Sequence, residues 1–169
     1  KKHNYVSTTF HTNVVEFWNR GELYDSLGFD SYYDAKYFGD EDTVFFGASD
    51  AVLYRKTLEQ LKQLDAADQP FYAQVISMTA HHPYTIPEEK QLIDLPERFH
   101  DTLVGDYIVA QHYADQQLGK FIDDLKDSGL WDNSLIVLYG DHLGLPIYSL
   151  DNHELNLMKE MYGRDYTYT

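Results

Sequence analysis

Apolar residues along this chain recur in two periods, one suited to buried strands and one to amphipathic helices. Tyr5 to Phe10 (YVSTTF) is β-branched and aromatic and predicts a short strand. Asn13, with Glu16 three residues later, has the spacing of a capping box and predicts a helix through FWNR. A further helical turn or two, GELYDSLGF, should stop at Gly28. Ser49 or Asp50 can cap a longer helix, because Ala51, Tyr54, Leu58, Leu61 and Leu64 fall on one face ahead of Pro70. Phe71 to Met78 (FYAQVISM) is an apolar run too short for a typical helix. It predicts a second buried strand, followed by an irregular, proline-bearing loop from His81 to Pro96.

The strongest helical pattern runs from about Gly105 to Ser128, where Tyr107, Ala110, Ala114, Leu118, Phe121, Ile122 and Leu125 make an apolar stripe that Gly129 can close. Ser134 to Tyr139 (SLIVLY) reads as a third buried strand. A last helix spans Asp151 to Tyr162, with Asp151 and Glu154 spaced as a capping box and Gly163 at its end. Strands alternating with helices predict an α/β fold with a mostly parallel sheet flanked by helices. No repeat, low-complexity tract or linker divides residues 1–169, so a single domain with no internal boundary is expected.

Each predicted strand runs out into histidine: the first at His11, the second at His81-His82, the third at Gly140-Asp141-His142. Carboxyl ends of parallel strands share one sheet edge, where open α/β sheets bind their ligands, so these histidines are expected on that edge. Taken singly, a histidine is more often a packing or solvated residue than a ligand, and His3, His100, His112 and His153 are read that way. Asp141 and His142 together offer a carboxylate oxygen and an imidazole nitrogen, donors that suit zinc, manganese or magnesium.

Composition narrows the chemistry. The 169 residues include no cysteine, which excludes disulfides, thiolate metal sites and cysteine nucleophiles. A net charge of -15 argues against nucleic acid as a partner, and a phosphate-bearing ligand would need a locally positive pocket. No run approaches the apolar length of a bilayer-spanning helix.

The pieces FHTNVVEFWNR, FGASD, FYAQVISMTAHHPYTIP, YIVAQHYADQQLGKFIDDLKDSGLWDNS and LIVLYGDHLG, in that order, resemble the extracellular catalytic domain of lipoteichoic acid synthases and related phosphoglycerol transferases, within the alkaline phosphatase and sulfatase superfamily. The resemblance covers residues 1 to about 145. It implies a sulfatase-like fold incomplete at both ends in this chain. It also implies an activated threonine that attacks phosphatidylglycerol and passes glycerophosphate to a growing lipoteichoic acid chain. By the same resemblance, Asp141 and His142 match metal ligands, with manganese the expected ion and magnesium an alternative. His11, Trp18, Arg20 and His81 match positions that hold glycerophosphate, and His82 stands beside them. The nucleophilic threonine is expected upstream of residue 1, so this chain alone should be inactive. The parent protein is expected to be membrane-anchored, on the extracellular face of a bacterial membrane. The competing readings are a sulfatase or phosphoethanolamine transferase of the same superfamily, and a noncatalytic glycerophosphate-binding domain.

Overall fold

A computed structural model describes residues 3–167, which fall into two compact units. The first unit runs through Thr79 and includes Ala114–Leu135; the second comprises Ala80–Tyr113 and the stretch from Ile136 onward.

The first unit is built on a three-stranded parallel sheet. Its central strand is β1 (Val6–His11), flanked by β2 (Ser31–Tyr33) and by β5 (Phe71–Ile76). Phe10 aligns with Tyr33 on one side and Val75 on the other, and its ring stacks on Tyr33 at 4.8 Å. Phe10 is fully buried, worth about 2–3 kcal/mol relative to exposure. A short antiparallel ribbon, β3 (Thr43–Val44) with β4 (Gly47–Ala48), leads into α3 (Asp50–Ala66). As the sequence predicts, Ser49 caps α3 by accepting from the Val52 N–H, and Leu53, Leu58 and Leu61 are buried along it. Within this unit Tyr54 of α3 stacks on Phe121, 4.8 Å between ring centres.

Three local expectations change. Asn13 does not open a helix: its Oδ1 accepts from the neighbouring Val14 N–H, and no capping box forms there. Phe17–Asn19 instead makes a 3-10 turn with Trp18 at φ 59°, and α1 (Arg20–Leu27) begins only after it, ending at the left-handed Gly28. The three-residue β2, which falls between a helix end and the four-residue α2 (Ala35–Phe38), takes the third place in the sheet. Ser134–Tyr139, expected to fill that place, forms no strand. After a 3-10 turn at Trp131–Asn133, residues 134–140 have no regular structure, and Leu135 and Tyr139 are 92% and 72% exposed. The cause is the missing ladder: strand propensity reports a fit to a pleated, half-buried surface, and among the described residues no strand pairs with this segment. Asp141 and His142 therefore do not stand at a strand end.

The second unit holds the start of α4 (Leu103–Asp127) and all of α5 (Asn152–Tyr162). The predicted capping box at Asp151 and Glu154 is present, and Gly163 closes α5 in the left-handed conformation. Glu154 also accepts from the Leu103 N–H at 2.5 Å, tying the cap of α5 to the first turn of α4.

Candidate functional site

In the first unit β1 and β5 run parallel in register, so His11 and Ile76 end side by side. The His11 ring is buried, and its Nδ1 lies 3.1 Å from the Ile76 carbonyl. A carbonyl can only accept, so Nδ1 carries the proton and donates. That bond fixes the ring's tautomer and orientation at the strand end.

Trp18 and Arg20 follow within nine residues. Trp18 is 71% exposed, so it is no core aromatic. Trp18 and Asn19 both sit in the left-handed region, at φ 59° and 55°, a conformation costing on the order of 1 kcal/mol or more for each non-glycine residue. The turn presents the indole outward against Phe17, 5.6 Å away, with the Arg20 guanidinium 5.8 Å from the indole ring centre. Arg20 Nη1 is buried and makes no hydrogen bond among the described residues. A guanidinium donor without an acceptor, beside an exposed aromatic face, is the arrangement that an anionic, partly apolar ligand completes.

In the second unit His81, His82, Tyr84, His142, Tyr148 and neighbouring residues line an open cleft of about 710 Å³. The rings of His81 and His142 stand 6.3 Å apart, nearly perpendicular. Asp141 Oδ1 lies 3.6 Å from His142 Nε2, and both side chains are solvent-exposed. His142 Nδ1 donates to the Leu143 carbonyl at 2.7 Å, and His81 Nδ1 to the His82 carbonyl at 2.8 Å. Behind them Tyr84 donates to the Gly144 carbonyl at 2.8 Å and packs edge-on against Tyr107. A Cβ on Gly144 would fall 2.6 Å from the Tyr107 hydroxyl, so any larger residue would require the Tyr107 ring to shift. Burial, with the nearby Tyr162 second, raises the Tyr107 hydroxyl above its usual range and keeps it a neutral donor.

Asp141 and His142 have donor types that fit a divalent cation, but their number falls short of a coordination shell. No group of three or more His, Asp or Glu among the described residues is arranged to hold a metal. His82 packs edge-on against Tyr84 at the cleft wall. His100 and His153 bond to the Leu95 and Arg98 carbonyls at the surface, in line with their reading as ordinary solvated residues. The tyrosines behind the cleft went unremarked in the sequence; the HHPY motif, with Tyr84 as its last residue, was the available signal.

The family model for sulfatases matches residues 1–167. The chain is 37% identical to lipoteichoic acid synthase 2 of Bacillus subtilis (strain 168) over 98% of its own length and 24% of that protein. Its structure superposes on the lipoteichoic acid synthase LtaP from Listeria monocytogenes with a TM-score of 0.87 and 48% identity, covering 95% of this chain and 38% of the other. A protein in the alkaline phosphatase superfamily from Vibrio parahaemolyticus matches with a TM-score of 0.64 and 30% identity, over 78% of this chain and 31% of that one. The chain thus spans about a quarter of the length of the curated relative it matches. Its mixed α/β architecture, with a parallel sheet flanked by helices, is shared with alkaline phosphatase-superfamily domains, and the chain belongs to the sulfatase family.

Proposed function

We propose that this chain is part of the catalytic domain of a metal-dependent phosphoglycerol transferase, which moves glycerophosphate from phosphatidylglycerol to a growing lipoteichoic acid chain. Similarity to lipoteichoic acid synthases supports the reaction class. The observation on this chain that carries the reading is the Arg20 guanidinium, whose buried Nη1 lacks an acceptor beside the outward-facing Trp18.

In this reading Arg20 donates to the phosphate oxygens of glycerophosphate, and Trp18 covers the glycerol carbons. His11 and His81 use their Nδ1–H groups on the Ile76 and His82 carbonyls, so each can donate to phosphate only through Nε2, and only as the protonated imidazolium. Asp141 and His142 would hold a divalent cation, manganese or magnesium, which when bound would supply positive charge to a phosphate-bearing substrate. The nucleophilic threonine belongs to another part of the protein, and the chain alone is inactive. Thr8, Thr9 and Thr79 lie in or just after strands and are each 2% exposed or less, which supports placing the nucleophile elsewhere. The parent protein would work at the extracellular face of a bacterial membrane, anchored there by other segments. No helix among the described residues is long and apolar enough to cross one.

The test is titration of the protein with sn-glycerol 1-phosphate. Arg20→Ala should weaken binding by about tenfold or more, since a charged hydrogen bond is worth about 1.5–3 kcal/mol, and should leave the melting temperature nearly unchanged. Equal loss of melting temperature and binding would make Arg20 a structural residue. Turnover of sulfate esters or of phosphatidylethanolamine, without glycerophosphate transfer, would move the chain to another branch of the superfamily.

A further inference from the structure

Asp50 is the most deeply buried carboxylate among the described residues, with no exposed surface. It is the first residue of α3, and its Oδ1 accepts from the backbone N–H groups of Met78, at 2.7 Å, and Thr79, at 3.1 Å. In return the Asp50 N–H donates to Thr79 Oγ1 at 2.9 Å. Three hydrogen bonds therefore join the first turn of a 17-residue helix to the residues that follow β5.

Each bond satisfies a group that the fold would otherwise leave open. The Asp50 N–H is a first-turn donor with no partner inside its own helix. The Met78 and Thr79 N–H groups lie past the last residue of β5, beyond the strand ladder, and both residues are buried. A leucine could fill the same space without burying a carboxyl group, which is costly unless its partners are specific. Only one carboxylate oxygen is used, since Oδ2 is buried without a hydrogen bond among the described residues. The contact is thus aimed at the backbone of the β5 exit rather than at a charge.

We infer that Asp50 is a positioning residue which, together with Thr79, locks the backbone at the exit of β5, two residues before His81 in the chain. The inference deepens the proposed role of His81 and rests on that role only for its functional meaning.

The experiment compares Asp50→Ala, Asp50→Asn and Thr79→Val in the full-length protein. Two readouts are taken: amide exchange at Met78 and Thr79, and the rate of carbethoxylation of His81 by diethyl pyrocarbonate relative to His153. Asp50→Ala should speed exchange at both amides by about tenfold or more, the cost of leaving two buried N–H donors without their acceptor. It should also change the relative His81 rate. Asp50→Asn keeps an oxygen in the Oδ1 position and should restore both readouts toward wild type. Exchange that is unchanged in Asp50→Ala, or equal disturbance by Asn and Ala, would overturn the inference. If Asp50→Ala does not fold, Thr79→Val decides: it removes one of the three bonds and should shift both readouts in the same direction, whereas wild-type values would overturn the inference. Neither readout depends on glycerophosphate transfer, so failure of the proposed activity and failure of this lock are separately visible.

Discussion

A methyl group placed on Gly47 should cost this fold more than most single changes. A Cβ built there would lie 2.7 Å from the Thr12 carbonyl carbon, 2.9 Å from Thr12 Oγ1 and closer still to the Thr12 carbonyl oxygen. Ordinary contacts of this kind begin near 3.4 Å. Thr12 is fully buried and follows His11 directly, so relief requires moving the backbone at the end of β1. Overpacking of a buried site costs about 1–3 kcal/mol, and a backbone neighbour puts Gly47→Ala at the upper end. At roughly 2–4 °C per kcal/mol for a chain of this size, the melting temperature should fall by about 6–12 °C. Gly119→Ala is the internal control. It lies in α4 with nothing within 4 Å of its Cβ, and helix propensity alone should make it neutral to stabilising by about 1 kcal/mol. Thermal unfolding of both variants in one buffer reads the contrast. A Gly47→Ala loss under about 2 °C, or a Gly119→Ala loss as large as that of Gly47→Ala, would show that the close approach at Thr12 is not a constraint on the native state.

Burial raises the Asp50 carboxyl above its ordinary 3.8, and the backbone and Thr79 bonds pull it only partly back. A raised folded-state value means that Asp50's contribution to stability is present below the unfolded pKa and is lost as pH rises through the folded value. The melting temperature of Asp50→Asn relative to wild type should therefore climb from acid toward neutral pH, and a flat or falling difference would contradict it. Calorimetry with manganese should give weak binding to this chain, abolished by Asp141→Ala, because Asp141 and His142 supply only two donors and water must fill the remaining positions; tight binding would point to ligands elsewhere.

Much of the helical framework was legible because its signals are local. Ser49, Gly28, Asp151 with Glu154, and Gly163 each act on backbone groups within one turn, and each does what its residue type predicts. β1 and β5 were legible for a different reason: both sequences suit strands and their partners are present, although β5 ends at Ile76 and, against expectation, none of its residues is buried. SLIVLY has an equally good strand sequence and no partner among the described residues, and sequence pattern cannot supply one. Ser31–Tyr33 went unread because three residues are too few to show alternation. At the candidate site, FWNR located Trp18 and Arg20, but the helix expected through them would have hidden what matters, the left-handed turn that holds the indole outward. Asp50 was read only as the alternative to Ser49 for the cap of this helix, and Ser49 takes that place. The partners of Asp50 lie 28 and 29 residues away, beyond the reach of any local rule.

The central claim is glycerophosphate transfer, and the most direct measurement is turnover of phosphatidylglycerol by the full-length protein. Release of diacylglycerol and appearance of labelled glycerophosphate on an acceptor should occur together, require a divalent cation, and fall by about tenfold or more in Arg20→Ala while that variant melts like wild type. Diacylglycerol release that is unaffected by Arg20→Ala, or hydrolysis of sulfate esters with phosphatidylglycerol left intact, would contradict the account.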